Sequence, residues 1–133
     1  MISALASSDA ASRRAAVEAV RRRRLAAAIP SLLNILQTDE SFSLRINAAE
    51  ALAELGDPAA VEPLAEFATL LPPEQTVTVC SWIAAFRSDD ARRFLHWVAF
   101  GHYHPDVRKA ASKLLRDILR EVPLHKAGEK KEP

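Results

Sequence analysis

Leu44-Arg45-Ile46-Asn47-Ala48-Ala49-Glu50-Ala51-Leu52-Ala53-Glu54-Leu55-Gly56-Asp57-Pro58-Ala59-Ala60-Val61-Glu62-Pro63-Leu64 reads as one complete helix–turn–helix unit. Leu44, Ala48, Ala51, Leu52 and Leu55 fall at i, i+4, i+7, i+8 and i+11, an apolar stripe down one helical face. The small side chains of Ala48, Ala49 and Ala51 let a neighbouring helix approach closely. Gly56 is placed to stop the helix in the left-handed conformation that suits glycine. Asp57 then caps a second helix, and Pro58 stands in its first turn, where a missing N–H is harmless. Val61, Leu64, Ala65, Ala68 and Leu71 carry the stripe along that second helix, with a kink expected at Pro63.

Weaker copies lie on both sides. Arg13, Ala16, Glu18, Ala19 and Val20 match Arg45, Ala48, Glu50, Ala51 and Leu52 at a shift of 32 residues. Ile83, Phe86, Ala91 and Leu95 match Leu52, Leu55, Ala60 and Leu64 at a shift of 31. Val107, Arg108, Ala111 and Leu115 repeat Leu44, Arg45, Ala48 and Leu52 at 63, about two periods on. In the third copy Arg87-Ser88-Asp89-Asp90 replaces Leu-Gly-Asp-Pro, which leaves its register the least secure.

The pattern resembles the HEAT-repeat family, in particular the short bacterial variety first described in phycobilin lyase subunits, over about residues 9–121. Units of this kind stack side by side around one shared core. The expected fold is therefore all-α: a right-handed α-solenoid (alpha-alpha superhelix) of about three and a half helical-hairpin repeats. The repeats are placed at about 9–37, 42–71, 74–100 and 105–121. Seven helices are expected, at about 9–23, 26–37, 42–55, 58–70, 74–87, 89–100 and 105–121. Residues 1–121 read as a single domain and residues 122–133 as a polar, disordered tail. Ile2 to Ser8 looks like the last turns of a helix whose partner is absent.

Composition agrees. The chain has 133 residues, 49% of them hydrophobic and 26% charged, which is enough apolar material for a continuous core. No run approaches the roughly 20 apolar residues that cross a bilayer. The opening Met1-Ile2-Ser3-Ala4-Leu5 lacks the basic region and apolar length of a secretory signal. Cys80 stands alone, which excludes an internal disulfide and favours a reducing compartment. A cytoplasmic protein is expected.

Charge is unevenly spread. Residues 1–37 carry a net +4, residues 38–75 a net −7 and residues 76–133 a net +4, so the middle repeat is acidic and its flanks basic. Arg21-Arg22-Arg23-Arg24 is the densest basic feature, at the turn between the two helices of the first repeat. Consecutive helical positions fan around the axis instead of forming one claw. Glu18 lies within i+3 and i+4 of Arg21 and Arg22, so part of this charge is expected to be paired. The basic corner is either an anion contact or a solvated inter-helix corner.

Candidate chemistry is sparse. His102-Tyr103-His104-Pro105-Asp106, with His96 nearby, has ligand types for a metal, yet a polar residue, Pro and Asp before Val-Arg also opens a HEAT unit. No metal or other cofactor is expected. No Gly-x-Ser-x-Gly occurs, Cys80 has no visible base, and three glycines cannot make a phosphate cradle, so no catalytic residue is assigned. Carboxylate pairs such as Asp89-Asp90 sit at helix starts, where the dipole favours them.

Aromatic residues crowd the third repeat as Trp82, Phe86, Phe94, Trp97, Phe100 and Tyr103. By the 31-residue shift Trp97 takes the place of Glu66, His96 that of Ala65 and Arg93 that of Glu62. Positions such as Glu62 and Glu66 are expected to face outward on the second (B) helix of each repeat, and the resemblance implies that these helices line the family's inner, concave surface. Trp and Arg are the types most enriched at binding hot spots. Whether Trp97 contacts a partner or packs over the bundle end stays open at this point. Arg45 and Arg108 read instead as ties between neighbouring repeats.

The function expected is a non-enzymatic protein-interaction module or scaffold, with Glu62, Glu66, Arg93 and Trp97 as contact residues and Arg21 to Arg24 as a separate corner. Its protein partner is not identified. The resemblance also implies an alternative, an accessory subunit of a bilin lyase-type enzyme. Nucleic-acid binding, as in HEAT-like repair glycosylases, is disfavoured by the acidic central repeat. The last helix carries Val107, Ala111, Leu114, Leu115, Ile118 and Leu119, more than one contact face needs. One solenoid end is thus expected to be covered by self-association, by a partner, or by Val122 and Leu124 folding back.

Overall fold

The computed structural model describes residues 2–130, with side chains through residue 120. Seven α-helices are present among them: α1 (Ala10–Arg23), α2 (Ile29–Thr38), α3 (Phe42–Leu55), α4 (Val61–Ala68), α5 (Pro73–Ala84), α6 (Asp89–Gly101) and α7 (Pro105–Lys130). No strand occurs among the described residues, and no helix among them is long and apolar enough to cross a membrane. The all-α, helical-hairpin solenoid class expected from the repeat is the one observed.

Contacts divide the chain into two compact units, Met1–Phe67 and Ala68–Pro133. The division falls inside the second repeat. In an array where each hairpin touches only its neighbours, no single central core opposes such a cut. Each unit is built alike. In the first, α3 packs against both α1 and α2; in the second, α7 packs against both α5 and α6.

Local chemistry explains the helix ends. The side chains of Asp9, Ser41 and Ser88 accept from the N–H groups of Ser12, Leu44 and Ala91, opening α1, α3 and α6. Asp57 accepts from the Ala59 N–H and opens a short 3₁₀ turn, Pro58–Ala60, before α4. Ala26–Ala28 forms the matching turn before α2. Of the B helices, α2 and α4 therefore start about three residues later than the periodicity predicts, whereas α6 starts at Asp89, as predicted. With α4 beginning at Val61, Pro63 lies in the first turn instead of deeper in the helix, so its missing N–H has no helical acceptor to lose.

Three left-handed residues settle the register. Gly56 closes α3 with φ 75°, and Arg24 and Arg87 adopt φ 53° and 54° at the equivalent places after α1 and α5. The third repeat is thereby aligned with the second despite its Arg-Ser-Asp-Asp sequence. Side chains pay a steric penalty here that glycine avoids.

The interior follows the stripes. Val17, Val20, Leu32, Leu36, Leu44, Ala48 and Leu52 are buried in the first unit. Cys80, Leu95, Val98, Val107, Ala111, Leu115 and Ile118 are buried together in the second. Leu5 is buried too, but on a 3₁₀ turn (Ile2–Ala6) instead of a helix end. The backbone of α7 continues past residue 121, where the periodicity ends it, as far as Lys130. Among the described side chains of α7 the apolar surplus reduces to Leu119, which is 43% exposed, because Leu114 is partly covered. The side chains of Val122 and Leu124, and residues 131–133, lie outside the described residues.

Candidate functional site

Subtracting the repeat period separates side chains that build the array from those it leaves over. The builders include Arg13, Arg45 and Arg108, which share one register position on α1, α3 and α7. Each reaches back to the chain preceding its own helix. Arg13 donates to the Ser7 carbonyl at 2.9 Å, and its Nε and Nη2 meet both oxygens of Asp39 at 2.8 and 3.3 Å. Arg45 Nε donates to the Leu36 carbonyl at 2.7 Å, and its guanidinium lies 5.7 and 5.3 Å from the rings of Phe42 and Phe67. Arg108 Nη1 donates to the His102 carbonyl at 2.6 Å. These arginines tie consecutive hairpins, as the sequence suggested for Arg45 and Arg108.

The fourth member of that set was not legible. By the 31-residue shift its position is Thr76, buried at 1% exposure, whose hydroxyl lies 3.0–3.3 Å from the carbonyls of Pro72, Leu71 and Ala68. A short side chain with a single donor thus replaces the long reach of arginine.

The Arg21–Arg24 corner divides. Arg21 meets Glu54 at 2.9 Å, Glu50 at 3.4 Å and Glu18 at 3.6 Å, and chiefly the Glu54 hydrogen bond raises its pKa above the ordinary value. Arg24 Nη2 donates to the Glu54 carbonyl at 2.9 Å. Two of the four arginines therefore join α1 to α3, while Arg22 and Arg23 are exposed. The expected link to Glu18 is present but is the longest of the three. The period itself pointed to the others, since Arg21 is equivalent to Ala53 and so stands beside Glu50 and Glu54.

The histidines serve the turn before α7. His102 Nδ1 accepts from the His104 N–H at 3.0 Å, and His104 Nδ1 accepts from the Asp106 N–H at 3.1 Å, the work that Ser and Asp do at other helix starts. Burial, the largest influence, lowers the His102 pKa from its ordinary value. Among the described residues no three His, Cys, Asp or Glu side chains converge as metal ligands would. Burial pushes the Cys80 thiol up to about 12, so it stays protonated and unreactive at neutral pH.

What remains is the outward row of the B helices. On α4, Glu62 and Glu66 are exposed, with Ala65 half-buried between them. On α6, the equivalent Arg93, His96 and Trp97 are exposed, and Phe100 extends the row to i+7. Trp97 is 53% exposed, Phe100 75% and, just past the helix, Tyr103 74%. Trp97 is not core: its indole stacks on Phe94 at 6.2 Å, while His96 lies against Phe100 at 4.6 Å. Arg93 pairs with Asp90 one turn back, yet its side chain is 73% exposed. Phe100 and His96 belong to this row although the sequence reading did not select them. The shift that selected Trp97 also places Phe100 at Thr69 and would have found it.

No curated protein matches the chain. A family model described as HEAT repeats matches residues 1–77, more than half of its length, and carries no narrower description that would extend to phycobilin lyase subunits. The matched segment holds the Arg13 and Arg45 ties, the glycine cap and the small-residue stripe described above; the chain belongs to the HEAT-repeat family.

Proposed function

We propose that the chain is a non-catalytic protein-docking module and that the outward row of α6 is its principal contact surface. One observation carries this reading. Trp97, Phe100 and Tyr103 are each more than half exposed, where the corresponding row of α4 presents Glu62, Ala65 and Glu66. Large aromatic side chains left in water are unfavourable unless a partner covers them. Trp and Arg together form the usual hot-spot pair. Glu62 and Glu66 on α4 form a second, acidic contact row, and Arg22 and Arg23 the free part of the basic corner. The interior of each unit is occupied by repeat packing, which leaves the surface as the place for function. HEAT repeats commonly serve as interaction scaffolds, which supports the same reading.

A photo-crosslinking residue at position 100 tests it, with the same residue at position 10 on α1 as control. Position 100 is expected to yield a discrete adduct in the native cell that Trp97→Ala abolishes. Equal labelling from both positions, or none from position 100, contradicts the docking surface.

A further inference from the structure

We propose that the α6 row takes the acidic α4 row of a second copy of this chain, so that the module pairs with itself by charge and by aromatic burial. The inference rests on the docking reading of α6 and names its occupant. Charge complementarity carries it. The acids around α3 are largely answered within their own unit: Asp39 by Arg13, and Glu50 and Glu54 by Arg21. Glu62 is exposed and has no ion pair among the described residues. On α6 the row formed by positions 93, 96, 97 and 100 contains no carboxylate, and among the described residues its cation, Arg93, is held only by an exposed pair with Asp90 on the same helix. Such pairs are weak and yield to a partner carboxylate.

Shape agrees with charge. The two rows occupy the same register positions of successive repeats, so their side chains rise along the helix in the same steps. Ala65 is the smallest side chain of the α4 row, and Trp97 is the largest of the α6 row. The end of α7 is a poorer candidate, because among the described residues Leu119 is the only large apolar side chain it exposes.

Sedimentation equilibrium of the full chain, from micromolar to several hundred micromolar, reads the association directly. A concentration-dependent rise in mass is expected, weakened by 500 mM salt. Trp97→Ala with Phe100→Ala should weaken it by roughly thirtyfold. Glu62→Lys and Arg93→Glu should each weaken it by roughly tenfold, whereas mixing the two variants should restore it, because one copy still offers Arg93 and the other Glu62. Circular dichroism establishes that each variant is folded. A strict monomer throughout this range, or association indifferent to the charge variants, overturns self-pairing. A chain that stays monomeric yet yields the position-100 adduct with another protein loses this inference and keeps the docking function.

Discussion

On α4, in Met1–Phe67, the outward row reads Glu62, Ala65, Glu66; on α6, in Ala68–Pro133, the same register positions hold Arg93, His96 and Trp97. Beneath those rows equivalent interior positions of the two repeats agree. Leu64 and Leu95 are equivalent and both fully buried, and so are Leu52 and Ile83. The contrast separates two pressures on one sequence. Interior positions must fill a shared core at crystal-like density, so their volume and polarity are fixed. Outward positions meet only water or a partner, and there the units diverge from acidic to aromatic. Divergence at equivalent sites is the observation that singles out the α6 row as the proposed contact surface.

The comparison breaks most visibly in unfolding experiments. Leu52→Ala, in the interior of α3, should cost about 2–5 kcal/mol in urea denaturation. Trp97→Ala removes a far larger side chain but should cost below about 1 kcal/mol, since half of the indole is already in water. A Trp97→Ala loss equal to that of Leu52→Ala would return the tryptophan to the core.

The repeat ties give the next effect. Arg45→Ala forfeits the Leu36 hydrogen bond and both ring contacts, for about 2–3 kcal/mol. Thr76→Val, at the same register position, removes one hydroxyl and should cost about 1 kcal/mol. Chemical denaturation of both variants checks the order, which inverts if Thr76 is the more important tie.

Gly56→Ala should destabilise by about 1 kcal/mol in the same assay. A Cβ at Gly56 meets nothing within 4 Å, so the whole cost comes from its φ of 75°.

The smallest effect expected is a pH dependence of the second unit. His102 titrates below its ordinary value of 6.5 in the folded chain, so the unfolded chain binds the proton more readily. Its contribution is complete above pH 6.5 and is lost as pH falls through the lowered folded value. Urea midpoints measured from pH 7.5 down to 5 should decline in the wild type and flatten in His102→Asn, which keeps an acceptor for the His104 N–H.

The sequence made much of this legible because repeats declare themselves by subtraction. The helix-hairpin pattern, the Gly56 cap and the ties of Arg45 and Arg108 follow from the sequence and its shift of 31 or 32 residues, whereas the shift alone left Trp97 open between surface and core. Other features were hidden for physical reasons. Arginine carries no local signal for a left-handed backbone, so Arg24 and Arg87 could not be read as caps. Thr76 replaces Arg45 with unrelated chemistry, and pattern matching follows chemistry, not geometry. The 3₁₀ starts of α2 and α4 share the periodicity of a frayed α-helix at three residues' length. A charge count could not show that Arg21 and Arg24 reach α3, because that proximity belongs to the stacking of hairpins.

The most direct test of the division between scaffold and surface pairs two readings on one variant. Trp97→Ala with Phe100→Ala is measured for unfolding free energy and for formation of the specific complex, whether with a second copy or with the crosslinked protein. The account predicts stability within about 2 kcal/mol of wild type and a complex weakened by an order of magnitude or more. A variant that unfolds while its residual folded fraction still forms the complex at wild-type strength would contradict it.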